Sequence, residues 1–324
     1  MSLTELEHSS PPRPIRPMHV VALLAAVLFF IACIEASTRF SFARLSRVES
    51  RIKTEHAAVL KLSRTPSLKS VLLVGDSLLL EDVNMNLLAR TLPSSLHLQR
   101  FPIEQTSYLD WLYGLRRIFS EGVRPSTVIL CLNPNSFIAS GILGDYSAYY
   151  LFQASEIPAV AKRARYELTP ESSLFFAHYS LFYAGRAALR NFMLNRVYPA
   201  YGVLLHNLLT RPAPPVSRDE VLRICEARFQ ELQRLCASQS AHFIYLMPPG
   251  FGIREDAIVE AASRAQTSLL VPVHTNAWPL DKFRDGFHLN EAGAREFTQI
   301  FSPTLAALLR SFEETGHEIG AARP

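Results

Sequence analysis

Val71-Leu72-Leu73-Val74-Gly75-Asp76-Ser77-Leu78 is the stretch on which the reading of this chain turns. Four apolar residues in a row read as a strand buried on both faces. The glycine that follows permits a tight turn. Ser77 then stands where a strand runs out into a loop and a helix. Near the other end, Asp285-Gly286-Phe287-His288 forms a short loop opening onto a helix, with a carboxylate three residues before an imidazole. A serine, a histidine and an aspartate at distant positions are what nucleophilic acyl chemistry needs. In that reading Ser77 is the nucleophile, His288 its general base, and Asp285 the group that holds the second ring nitrogen. Plainer roles exist for each. Ser77 can cap the helix it enters, and Asp285 and His288 can cap the last one. Asp76 reads as a helix-entry carboxylate with no catalytic role.

Outward from this stretch, apolar runs and helical patterns alternate along the chain. Strands are expected at 70–74, 97–102, 127–132, 242–247 and 269–273. Helices are expected at 80–91, 108–120, 218–236, 255–265 and 290–312. Such alternation predicts an α/β fold, a three-layer α/β/α sandwich with a central parallel sheet. Active-site groups then belong at the carboxyl ends of the strands. The stretch 140–215 breaks the rhythm. It is rich in aromatics and arginine and closes with Arg211-Pro212-Ala213-Pro214-Pro215, so it reads as a helical insertion. It is either a packing subdomain or a lid or groove for a bulky substrate.

With 324 residues, 48% of them apolar, the chain is long enough for one large core plus an additional greasy segment. Its net charge of +4 is mild and its Lys and Arg are scattered, which argues against nucleic acid as a partner. Gly75 is followed by no glycine-rich phosphate loop and no Walker lysine, which argues against nucleotide binding. The cysteines (Cys33, Cys131, Cys225 and Cys236) form no C-x-x-C pattern and no metal-ligand spacing. Neither metal nor cofactor is called for. Cys225 and Cys236 share a predicted helix but lie about 16 Å apart along it, too far for a direct bridge.

The early Gly-Asp-Ser-Leu and the late Asp-x-x-His together resemble the SGNH/GDSL hydrolase family. The run Asp285-Gly286-Phe287-His288-Leu289-Asn290-Glu291-Ala292-Gly293 is similar to that family's final block, and Asp281, four residues earlier, has the wrong spacing. The resemblance covers about 67–138 and 218–310. It implies an oxyanion hole with two further parts. Asn135, in Asn133-Pro134-Asn135-Ser136, matches the asparagine of the family's Gly-x-Asn-Asp block, with Asn133 as the fallback. A glycine after the second strand usually supplies a backbone N–H. Here the stretch is Phe101-Pro102-Ile103-Glu104-Gln105-Thr106-Ser107, so Gln105 or Thr106 would have to donate instead. One oxyanion donor is worth on the order of 3 kcal/mol of barrier. Intact outer motifs with degraded middle ones resemble the membrane-anchored branch, similar to polysaccharide O-acetyltransferases and esterases. The resemblance implies acyl-serine chemistry on an acylated glycan or small ester, with a membrane acyl-donor protein as an implied partner. The competing reading is a catalytically degraded domain that binds glycan or organises a polysaccharide-export complex.

The greasy segment is Val20 to Ile34, extended to about 18–37, preceded by a flexible basic arm over 1–17. It is long enough to span a bilayer as an uncleaved signal anchor. Phe30-Ile31-Ala32-Cys33 loosely resembles a lipobox. A helical stalk over 38–66, the α/β domain over 67–312 and a flexible tail over 313–324 complete the expected organisation. Arg13 and Arg16 precede the segment, while Arg39, Arg44, Arg47, Arg51 and Lys53 follow it. Charge alone would place the domain in the cytoplasm. The exit Glu35-Ala36-Ser37-Thr38-Arg39 instead resembles that of the family's anchored members, which implies a single-pass inner-membrane protein with its domain in the periplasm.

Overall fold

The computed structural model describes residues 17–62, 69–144, 146–198, 216–251 and 254–321. Five strands form one sheet: β1 (Lys69–Gly75), β2 (Leu96–Pro102), β3 (Thr127–Cys131), β4 (His242–Leu246) and β5 (Ser268–Leu270). Every pairing is parallel and the order is β2-β1-β3-β4-β5. This is the flavodoxin-like order, whose topological switch point lies between β1 and β3. The crevice outside the carboxyl ends of those two strands is where such folds place their ligands. Ser77 stands two residues beyond the end of β1.

The hydrophobic runs explain the layers. Alternate residues of a strand point to opposite faces. Leu72 and Val74 enter one core with Val128, Leu130 and Tyr245; Val71 and Leu73 enter the other with Ile129, Cys131 and Ile244. The first core is covered by α2 (Arg47–Val59), α5 (Tyr108–Ser120), α11 (Arg218–Ala237) and α12 (Glu255–Arg264). The second is covered by α3 (Ser77–Asp82), α4 (Met85–Thr91) and α13 (Glu291–Ala321). The result is the expected three-layer α/β/α arrangement. Cys131, Cys225 and Cys236 are buried and unbridged within it.

Several boundaries differ from the sequence reading. The helix expected over 80–91 is two helices, because Asn84 stops one and caps the next, accepting from the Leu87 N–H at 3.0 Å. The Asn84 N–H meanwhile donates to Thr298 Oγ1 on α13 at 2.9 Å. The last strand is three residues long, starting one residue earlier and ending three residues sooner than expected. Helix α13 continues to Ala321 through residues read as a tail, since no proline follows Pro303 until the chain's last residue.

Helix α1 (Pro17–Leu45) carries the apolar segment and runs past its expected end. Ser46 then caps α2, accepting from the Glu49 N–H at 3.2 Å. Residues 38–66, read as a stalk, include α2, whose Ile52 and Val59 lie in the first core. Arg51 of α2 forks onto the Glu104 carboxylate at 2.6 Å and onto the Pro102 carbonyl at 2.8 Å. Helix α6 (Pro134–Ile138) follows β3, and the insertion contains α7 (Ser147–Leu151), α8 (Ile157–Ala164), α9 (Leu168–Tyr179) and α10 (Leu181–Val197). Its closing proline-rich breaker lies outside the described residues, as does the basic arm over 1–17 except Pro17, which opens α1.

Candidate active site

Close packing of backbone sets the position of Ser77. Gly75 pairs with Cys131 across the β1–β3 ladder. A β-carbon on Gly75 would stand 1.9 Å from the Cys131 carbonyl oxygen, so only glycine fits. The Gly75 carbonyl also accepts from the Ile103 N–H at 2.9 Å, drawing the β2–α5 loop to the same place. Asp76 then caps α3, its Oδ1 accepting from the Leu78 N–H at 2.9 Å, while its Oδ2 faces the Asn133 N–H at 3.5 Å. Burial pushes the Asp76 carboxyl up to about 6, although the N–H groups of Leu78 and Asn133 and the nearby His288 pull it down. The capping role expected of Asp76 is thus the one it has, which frees the half-buried Ser77 side chain.

The histidine arrives on a loop closed by its own backbone. Phe283 and Leu289 pair across it, and the Arg284 N–H donates to the His288 carbonyl at 2.8 Å. Gly286 takes the turn with φ +79°, a conformation side chains disfavour. Asp285 Oδ1 accepts from the Phe287 N–H at 3.1 Å and the His288 N–H at 2.7 Å. Its Oδ2 meets His288 Nδ1 at 2.9 Å, and His288 Nε2 meets Ser77 Oγ at 2.9 Å. Partial desolvation raises the Asp285 carboxyl, but the hydrogen bonds from the His288 backbone and ring and the Phe287 N–H win and hold it at about 2. Asp285 therefore stays ionised at any ordinary pH, and with an anion at Nδ1 the neutral ring carries its proton there. Nε2 is then left as the acceptor facing the serine hydroxyl. Asp281 contributes only its carbonyl, which accepts from Asn290 Nδ2 at 2.6 Å.

Asp82, which sequence reasoning missed, ties the two halves together. It ends α3 and is fully buried, and its Oδ1 accepts from the Leu289 N–H at 2.8 Å, one residue beyond His288. Its Oδ2 has no partner. Burial, with Asp76, Glu81 and Asp285 nearby, raises its carboxyl well above the ordinary range against the pull of the Leu289 N–H. Replacing Asp82 by leucine leaves that N–H buried and unpaired, an expected cost of about 1–3 kcal/mol in denaturant unfolding. Asparagine keeps the acceptor and removes the charge. A carboxyl held above its unfolded value stabilises fully only below that unfolded value, and its share is lost as pH rises through the folded one. Asp82→Asn is therefore expected to gain on the wild type in melting temperature as pH rises from 4 toward 7; a gap independent of pH would refute this.

Among the described residues, no hydrogen bond joins either expected oxyanion residue to the Ser77–His288–Asp285 row. Asn135 is exposed, and its N–H donates to Asn133 Oδ1 at 2.8 Å. Asn133 is buried, and it is Asn133 whose backbone reaches Asp76 beside the serine. Gln105 is exposed and has φ +54°, the left-handed conformation that glycine would hold without strain. Thr106 is buried and committed, donating to the Ile103 carbonyl at 2.7 Å and accepting from Trp111 Nε1 at 2.9 Å. Among the described residues, His288 is the one hydrogen-bond partner shown at the Ser77 hydroxyl. The backbone N–H of Ser77 opens α3 and so has no intrahelical acceptor, a donor the sequence reading passed over.

No protein-family model matches this sequence, and no curated protein does. Among solved structures, TesA aligns with 74% of this chain and 99% of its own, at 12% identity and a TM-score of 0.36. The protein YXIM from Bacillus subtilis aligns with 72% of this chain and 55% of its own, at 12% identity and a TM-score of 0.34.

Proposed function

We propose that this protein is an SGNH-type serine acyl-enzyme, an esterase or O-acyltransferase. The observation that carries the reading is the unbroken row from Asp285 Oδ2 through both ring nitrogens of His288 to Ser77 Oγ, each step 2.9 Å. In this mechanism His288 Nε2 takes the hydroxyl proton as Ser77 Oγ attacks the ester carbonyl, and Asp285 stabilises the imidazolium that forms. The tetrahedral intermediate collapses to an acyl-serine, and His288 returns the proton to the departing alcohol. Water or a sugar hydroxyl then attacks the acyl-serine in the same way, which makes the difference between hydrolysis and transfer a matter of acceptor. The Ser77 N–H, a backbone N–H at Gln105 and an amide at Asn135 or Asn133 are the proposed oxyanion donors.

The substrate class we favour is an acetylated or acetylatable envelope or exported polysaccharide. Asp285 keeps 44% of its side chain exposed and His288 keeps 20%. A polymer can reach such an open row without threading into a cavity. Helix α1 has an apolar stretch of mean hydropathy 2.5 with none of it covered by protein, which suits an inner-membrane anchor with the domain in the periplasm. The exposure of Asn135 and Gln105 favours a second reading, a glycan-binding scaffold with little turnover.

Treating the full chain in membranes with a fluorophosphonate separates the two. Labelling of the wild type and not of Ser77→Ala is expected. Absence of labelling in folded wild-type protein would overturn the acyl-enzyme and favour the scaffold.

A further inference from the structure

The turn between α9 and α10 is held by the anchor helix. At 1.5 Å per residue, a hydrocarbon layer of about 30 Å takes about 20 residues, so a span that begins at Pro17 ends near Ala36. At that level Glu35 accepts from Ser180 Oγ at 2.8 Å, the Leu181 N–H at 2.9 Å and the Phe182 N–H at 3.2 Å. It thereby caps the N-terminus of α10 with a carboxylate from another helix. Arg39 pairs with Glu35 at 2.6 Å and donates to the Tyr179 carbonyl at 2.9 Å. The depth of this turn along α1 is therefore fixed by four hydrogen bonds.

Large aromatic side chains surround the same turn and face outward. Phe175 is 48% exposed, Phe176 57%, Tyr179 54% and Phe182 37%. Phe175 lies against Tyr179 with ring centroids 5.0 Å apart, so the residues form a patch. The exposed apolar surface of α1, including Phe29, Phe30 and Ile31, continues on the helix to which the patch is tied. Tyr favours the level where acyl chains give way to headgroups and Phe rings bury at that boundary, and Glu35 and Arg39 hold the patch there.

We propose that the α9–α10 turn is a second membrane contact, with Phe175, Phe176, Tyr179 and Phe182 seated in the interfacial layer of the leaflet on the domain's side. The proposal rests on the reading of α1 as a membrane span. Two attachments, a helix through the bilayer and an aromatic turn on it, set the tilt of the domain as well as its tether.

The test uses the full chain reconstituted in phosphatidylcholine–phosphatidylglycerol vesicles, with and without phosphatidylcholine brominated high on its acyl chains. Phe176→Trp adds a fluorophore to the patch, and Phe175→Trp repeats the test from a second position. Val259→Trp, exposed on α12 at the β5 side of the sheet, is the control; the emission of Trp111 and Trp278 is subtracted with the wild type. The bromolipid is expected to quench the added tryptophan of Phe176→Trp several-fold more than that of Val259→Trp. Equal or absent quenching in protein that stays in the alkali-washed vesicle pellet overturns the proposal and leaves the anchor standing; the patch then belongs to a second copy or a protein partner. Protein lost from that pellet overturns the anchor, and the proposal with it.

Discussion

Ser77→Ala is expected to remove ester turnover by on the order of 10⁶-fold, the scale on which other serine triads lose activity when the nucleophile is deleted. The fold should not notice. The Ser77 hydroxyl makes its hydrogen bond to His288, while the cap of α3 belongs to Asp76. A melting temperature within about a degree of the wild type is therefore expected, since a change away from core and caps is generally worth under about 0.5 kcal/mol. Residues that act as one unit are not additive, so adding His288→Ala to Ser77→Ala should cost nothing more. Asp285→Asn should lose about 10⁴-fold, because an amide no longer dictates which ring nitrogen holds the proton. The check is turnover of an acetyl ester by the four proteins at matched concentration. Residual activity in Ser77→Ala comparable to wild type would remove the serine from the chemistry.

Gly75→Ala should be the most damaging single methyl group in the protein. Its β-carbon would meet the Cys131 carbonyl oxygen at 1.9 Å, the Cys131 carbonyl carbon at 2.9 Å and Leu79 Cβ at 3.1 Å. Two of those three atoms are backbone of the neighbouring strand, so no rotamer change relieves the clash. Either β1 and β3 part at their carboxyl ends or the Gly75–Ser77 turn shifts. Overpacking of this kind costs on the order of 3 kcal/mol or more. A shift of the turn also moves Ser77 relative to His288, whose position is set independently by Asp82. Unfolding in denaturant should therefore show a large loss of stability together with loss of fluorophosphonate labelling. A variant of wild-type stability would mean that the strands separate there at little cost.

The sheet was legible because its central strands are continuous apolar runs, and a strand buried on both faces has few other sequences available. Ser77, Asp285 and His288 were legible because loop chemistry around them is local: a glycine turn, a carboxylate and an imidazole three residues apart. What escaped notice depends on partners distant in the chain. The apolar pattern runs through Val83 and Asn84 without a break, and the N–H of Asn84 is taken by Thr298, 214 positions away. Nothing local marks Asp82, because its partner is a main-chain N–H 207 positions later. Gln105 gave no sign of its left-handed backbone, since glutamine has no intrinsic preference for that conformation.

On the proposed acyl-enzyme reading, the junction of α1 and α2 sets how the protein meets its substrate. One residue, Ser46, separates the two helices, and α2 is part of the packed core. On the anchored reading there is no slack between membrane and catalytic domain, so Ser77 cannot sweep a volume as it would on a long flexible leash. Its working height above the lipid is built in. Glycan strands would be processed only as they pass that height, which ties turnover to the traffic of the polymer rather than to the reach of the protein.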